Sequence, residues 1–533
     1  FLQFLGIINR LTMEEVLSRF PHVGEKIFEE LDNQVLTNCR TICKSWKDFI
    51  DENKIVAFRI IKKYTNCKEA SLRKLCSKVN VEAIANQSRN DYEEFETNQS
   101  KFGGFTTLHA AASNGHLINC QLLIENLLNQ NPKTNDGETP LHFAAEKGNL
   151  EVCRLIINNV KKKNPKQLDG ETPLHRAAQF GWLEICKLIM DNIVVKNPKD
   201  DDFEVTPLHL AASNGHYKVF KLIFDSVQKK NPKSLDGRTP LHNAAFHGHL
   251  DICQLILENT TKKNPKNQEG DTPLHEAADN GHFEIYKLIL ENVQKKNPKN
   301  ECGVTPFHCA SSKGHLNICE LIFQFIDDKN PMDDAKETPL YLAAENGHLD
   351  VCRLIIDKVN DKNPENEDGQ TPLHEAASSG HFEVCQLIMD RIDEKNPKNP
   401  TGSTPLHSAA RMGHFKIFEY IFQIVQNQNT VNEYGDTPLH LAAQEGHLEI
   451  CKLVVQSGQD IALENDEGNT PFHLAAASGQ VEVCELFLEK LDRKNPENKK
   501  GKTPLIFADV NGHSAVVELI QNYIGRKKLK KDA

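Results

Sequence analysis

The stretch "DGETPLHRAAQFGWLEICKLIMDNIVVKNPK", Asp169 to Lys199, is one period of a pattern that fills most of the 533-residue chain. Its "TPLH" threonine recurs at Thr106, Thr139, Thr172, Thr206, Thr239, Thr272, Thr305, Thr338, Thr371, Thr404, Thr437, Thr470 and Thr503. These thirteen positions lie 33 residues apart, with one interval of 34 between Thr172 and Thr206. A fixed period of this length marks a repeat architecture and outranks any single element in deciding the fold. Within the unit, Asp169-Gly170 is a turn signal, because glycine takes positive φ without steric cost. Thr172 and Pro173 open a helix: threonine suits the N-cap, and proline lacks only an N–H that the first turn leaves unbonded. Leu174, Ala177 and Ala178 give that helix one apolar face, and Gly181 ends it. Ile185, Leu188 and Ile189 then continue as a second helix with spacing i, i+3, i+4. Neither helix has enough apolar face to be stable alone, so consecutive units must stack.

Composition narrows the chemistry. The net charge of −11 gives no overall basic field for nucleic acid, and no stretch approaches the length of a membrane span, so neither partner is expected. The opening "FLQFLGIINRL" lacks the basic flank and cleavage site of a secretory signal. Met13 is the expected start, with residues 1–12 an N-terminal extension. Of fifteen cysteines, nine (Cys120, Cys153, Cys186, Cys253, Cys319, Cys352, Cys385, Cys451, Cys484) share one column of the second helix, where Phe220, Tyr286 and Phe418 also stand. A position that accepts either a thiol or an aromatic ring is a packing site, which points to buried thiols in a reducing compartment: the cytoplasm, with the nucleus as the alternative. Of 23 histidines, 21 fall in two columns, the "TPLH" histidine and the "GH" histidine that opens the second helix. Tyr341 and Ile506 replace the first; Asn149, Trp182 and Gln480 replace the second. Such placement points to structural hydrogen bonds. No cysteine–histidine cluster has zinc-site spacing, and neither a Gly-rich phosphate loop nor "GxSxG" occurs, so no metal, cofactor or active site is expected.

The repeat resembles the ankyrin repeat over about four fifths of the chain, residues 102–525. The resemblance implies an all-α solenoid of about thirteen helix-turn-helix units and a protein that binds other proteins. With layers about 10 Å apart, it would be roughly 130 Å long. In this family the free positions are the residue after the "TPLH" histidine, the two residues before each "GH", and the hairpin tip before "DG". The third to fifth repeats carry the largest side chains there. The expected target-binding residues are therefore Arg176, Phe180, Trp182, Asn243, Phe246 and His247 there, with Phe143 of the second repeat, since interface anchors are rich in Trp, Phe and Arg. Phe203 sits on the acidic tip "KDDDFEVT" created by the 34-residue interval. Between units runs "KKNPK", whose Asn-Pro is a turn former. The last copy, "TPLIFADVNGHSAVVELI", departs at Ile506 and Asp509 as a capping repeat would, and the basic tail 526–533 follows.

The N-terminal stretch "FPHVGEKIFEELDNQVLTNCRTICKSWKDFI", Phe20 to Ile50, matches nothing later in the chain. Phe20, Val23, Ile27, Phe28 and Leu31 fall on one face of a short helix, and Ile42, Cys43, Trp46, Phe49 and Ile50 on another. Three such helices in about 40 residues bury little surface alone and need a partner. The stretch resembles an F-box: Phe20-Pro21 stands for the family's Leu-Pro, Ile27-Phe28 for its "IF", Leu31 for its next apolar site, and Arg40, Ile42, Cys43 and Trp46 for its Arg-x-Val-Cys-x-x-Trp phrase. "HVG" departs from the family's acidic first turn, and Thr37-Asn38 stand where apolar residues are common. The resemblance implies a small three-helix F-box-like domain at 13–52 that docks on the Skp-type adaptor of a cullin ubiquitin ligase through Phe20, Pro21, Ile27, Phe28, Leu31, Ile42 and Trp46. Residues 53–101 then form a helical linker. The whole chain would be a substrate-recognition subunit of that ligase. The other function class is an ankyrin scaffold or inhibitory binding protein with no ubiquitin link.

Overall fold

The computed structural model describes residues 103–126 and 129–531. The chain divides into two units, Phe1–Phe102 and Gly103–Ala533, of which the second is the one described. The F-box-like expectation for 13–52, with Phe20, Pro21, Ile27, Phe28, Leu31, Ile42 and Trp46, and the linker 53–101 lie outside the described residues.

The described chain alternates short first helices, from Thr107–Ser113 to Pro504–Val510, with second helices, from Leu117–Asn126 to Ser514–Lys531. They make thirteen pairs, one per threonine, and every regular element among the described residues is a helix. First helices pack on first helices and second on second, each against its neighbours in sequence. In the third repeat the pair is Pro173–Gln179 and Leu183–Asp191. Leu174, Ala177, Ala178, Cys186 and Ile189 are all fully buried there, so the two apolar faces close one continuous core with the units on either side. The last second helix runs to Lys531, through most of the basic stretch 526–533.

The "TPLH" histidine holds each unit to the next. His175 Nδ1 accepts the Thr172 N–H at 3.1 Å and stands 2.9 Å from the threonine hydroxyl. The proton is therefore on Nε2, which donates to the Val205 carbonyl of the following hairpin at 3.2 Å. The arrangement recurs from His109, on Glu138 O at 3.2 Å, to His473, on Lys502 O at 3.2 Å. The hairpin tips add a ladder of their own, such as Leu168 N–H to Asp136 O and Asp201 N–H to Asp169 O, both 2.8 Å. On the far side of each pair the "GH" histidine reaches back: His216 Nε2 donates to Gln179 O of the preceding unit at 2.9 Å. Its ring lies flat on Gly181, whose φ is +77° and where a Cβ would stand 2.6 Å from the imidazole, so glycine is required twice over.

The "KKNPK" loop does more than turn. In nine loops, from Asn164 to Asn495, the asparagine Oδ1 accepts the N–H of the leucine or phenylalanine two residues past the threonine; Asn164 takes Leu174 N–H at 3.0 Å. The lysine before it caps the preceding helix. Lys296 Nζ donates to Leu290 O and Lys329 Nζ to Phe323 O, each at 2.6 Å. One dipeptide thus supplies acceptors or donors to a helix end on either side, where backbone groups would otherwise be unpaired.

Burial holds the "TPLH" imidazoles neutral. Desolvation pulls His175, His209, His308, His374 and His407 down from 6.5 to about 4, and His142 and His242 to about 3. The unfolded chain takes up protons below pH 6.5 while the folded one does not, so stability is intact above 6.5 and falls as pH drops towards 4. Each such histidine contributes a loss of about 1.4 kcal/mol per pH unit in that window. Urea midpoints measured across the window should fall steeply and cooperatively. A flat profile would mean that these imidazoles are not the inter-repeat ties.

Candidate protein-binding surface

What the frame leaves free is a face built from the first helices and hairpins. Among the described residues, no group of three or more histidine, cysteine or carboxylate side chains is placed to hold a metal ion. The buried column cysteines are held protonated by desolvation, Cys186 and Cys352 being raised from 9.0 to about 12. The surface offers shape, charge and apolar contact.

In the third repeat Arg176 follows the buried His175 and turns outward, its guanidinium 3.0 Å from Glu171 and 3.5 Å from Glu138. Its Nε has no protein partner. Burial raises both carboxyls and Arg176 partly offsets that. Phe180, which caps the same helix, is 45 % exposed. In the fifth repeat Phe246 is 37 % exposed, with the Arg238 guanidinium 5.5 Å from its ring centroid and the His247 ring edge-on at 4.8 Å. Arg238 also reaches Asn243 at 3.5 Å and forms a 2.8 Å ion pair with Glu276 of the sixth repeat. Desolvation lifts the Glu276 carboxyl to about 7 against the pull of Arg238. Beyond these, the hairpin tips expose Leu168, Phe203 and Leu235, tied to one another through bonds such as Leu235 N–H to Phe203 O at 2.7 Å.

Two of the expected residues have other work. Trp182 stands in the "GH" column, and its indole N–H donates to Glu146 O of the preceding unit at 2.9 Å, with the ring on Gly148. It therefore does the job of the histidine it replaces, although part of it remains exposed. Phe143 is half-buried between the Phe105 ring at 5.2 Å and the His109 ring at 5.5 Å. Arg238 and Glu276 were not among the expected residues. The signal for Arg238 lay in the column before the threonine, which varies as freely as the one after the histidine: Glu138, Glu171, Val205, Arg238, Asp271.

The model of the family described as ankyrin repeats (three copies) matches residues 75–167, 155–234, 225–300, 241–332, 307–399, 391–465 and 454–532. The chain belongs to the ankyrin-repeat family. Its first match begins at residue 75, inside the segment assigned from sequence to a linker. No curated protein matches the chain. Ankyrin repeats are protein-interaction modules, and binding of protein partners is what membership implies here. No described helix is long and apolar enough to cross a membrane.

The geometry separates frame from surface at neighbouring residues. Trp182→Ala removes the donor to the Glu146 carbonyl in an exposed bond and should lower unfolding free energy by about 0.5–1.5 kcal/mol. Trp182→His keeps the donor and should recover most of it. Phe180→Ala, on an exposed cap, should stay within about 0.5 kcal/mol of wild type. Urea denaturation of the three variants checks the ranking.

Proposed function

We propose that this ankyrin protein is the substrate-recognition subunit of a Skp–cullin–F-box ubiquitin ligase. A target protein is held on the third to fifth repeats, and the adaptor on the F-box-like segment 13–52. The observation that carries the target site is the concentration of exposed aromatic and guanidinium groups on adjoining repeats: Phe180, Phe246 and Arg176, with Arg238 stacked on Phe246. Half-exposed aromatics and arginines on a rigid frame anchor interfaces well, because little side-chain freedom remains to be lost on binding. The adaptor half rests on the sequence from Phe20-Pro21 to Trp46. The protein's share in catalysis is proximity, since it carries the target to chemistry done by its partners.

Two measurements test the two ends separately. Replacing Arg176, Phe180 and Phe246 by alanine should weaken target binding by about 2 kcal/mol or more at one of the three, with thermal stability nearly unchanged. Undiminished affinity of the triple variant would move the site elsewhere. Deleting residues 13–52 should abolish co-purification of adaptor and cullin, and so should Ile42→Asp, which puts a charge into an apolar contact. Target binding should persist in both. If adaptor and cullin never accompany the intact chain, the protein is a scaffold or inhibitory ankyrin protein with no ubiquitin link.

A further inference from the structure

One column of the repeat serves neither the core nor the proposed target site. It lies in the loop after each second helix, ten residues before the next threonine and eleven where the insertion intervenes. Going along the array it reads Lys162, Val195, Lys229, Lys262 and Lys295, then Asp328, Asp361, Glu394, Asn427 and Asp460. All ten are exposed. No ion pair within the described residues engages any of them. The column is antisymmetric about the seventh repeat: Lys295 mirrors Asp328, Lys262 mirrors Asp361, Lys229 mirrors Glu394, and Lys162 mirrors Asp460. The two neutral residues, Val195 and Asn427, mirror each other. The terminal loops, at Asn129 and Arg493, add no like-charge clash.

Local structure does not dictate these signs. Asp328 and Asp361 accept the N–H of the loop asparagine at 3.1 Å, but neutral Asn427 makes the same 3.1 Å bond. The lysine-bearing loops place their asparagine identically: Asn231, Asn264 and Asn297 all cap the next helix. The charge order is a property of the ridge as a whole.

We infer that this ridge is the contact between two copies of the chain, set antiparallel about a two-fold axis at the seventh repeat. A two-fold operator places a surface on itself in reverse order, which makes every lysine in the column face a carboxylate of the second copy, twice over. A polyanion would meet the basic half and be repelled by the acidic half, and a basic partner the converse; the column reversed matches both. A cavity of about 300 Å³ between the loops on either side of the eighth repeat is walled by Asp327, Asp328 and Asp361 and also by Lys329 and Lys358; Lys329 is turned onto the Phe323 carbonyl, so the two column carboxylates remain to meet lysines of the second copy. The net charge of −11 opposes association at long range, but it is screened beyond about 8 Å at physiological ionic strength while ion pairs in contact survive. Such pairs are individually weak, so the dimer is concentration-dependent and salt-sensitive.

Sedimentation equilibrium of the full chain tests this. A reversible monomer–dimer equilibrium is expected at about 0.05 M salt, shifted at least tenfold towards monomer at about 0.5 M. Combining Lys229→Glu, Lys262→Glu and Lys295→Glu in one variant, and Asp328→Lys, Asp361→Lys and Glu394→Lys in another, should give two monomeric proteins with unchanged melting. Mixing them one to one should restore dimer, and so should all six changes on one chain. A wild-type chain that stays monomeric at every concentration, a dimer indifferent to salt, or triple variants that still dimerise alone would each overturn the inference.

Discussion

A neutral imidazole with both nitrogens committed is the joint on which this molecule depends. In His175 one nitrogen closes the turn of its own repeat on Thr172 and the other seizes the backbone of the next repeat at Val205. Local structure and stacking are therefore made by the same side chain, and a repeat without its neighbour loses both an apolar face and a hydrogen-bond acceptor. Protonation would turn Nδ1 into a donor facing the threonine N–H, so the joint demands the neutral form as well as the right tautomer. The exceptions follow the same logic. Ile506 stands in the last described repeat, which no hairpin follows among the described residues to offer a carbonyl to Nε2. Tyr341 reaches past the usual acceptor, and its hydroxyl takes the Asn366 side-chain N–H at 3.2 Å.

Because the joints recur with the period, they consume most polar columns. The threonine hydroxyl is spent on the histidine ring, both histidines, the loop lysine and the loop asparagine on backbone partners, and the cysteine column on packing. Recognition is left to the columns that vary, and these project from a frame whose own hydrogen bonds are satisfied. That is why large side chains such as Phe180 and Phe246 can stay partly exposed without loosening the helices that carry them.

The fold was legible because a pattern repeated thirteen times averages out the ambiguity of any single copy. Turn glycine, capping threonine, paired alanines and the apolar second helix are all legible in one unit. The contacts of the candidate surface are legible only in part. Trp182 looked like an anchor because tryptophan is rare and large, yet the column asks only for an N–H that reaches a carbonyl, and histidine, asparagine, glutamine and indole all supply one. Arg238 is inconspicuous in the sequence because its contacts are with Phe246 and Glu276, the second of which lies in the next repeat. The "KKNPK" phrase read as a turn because its capping partners lie six residues before the lysine and ten after the asparagine, too far apart to be seen as one motif.

Period and order are different kinds of information in such an array. A column that contributes to stacking must look alike in every repeat, since each faces the same neighbour. A column free of that duty can differ from one end to the other, and its differences have meaning only along the axis of the solenoid. The loop column from Lys162 to Asp460 is of the second kind, for its charges are uniform on one side of the seventh repeat and inverted on the other. Within one repeat, Lys229 and Glu394 are equally acceptable loop residues, each exposed and each without an ion-pair partner among the described residues. Aligning the repeats on one another compares unit with unit and so hides this order. It emerges only when the column is read from end to end, which is how a rigid partner lying along the ridge would meet it.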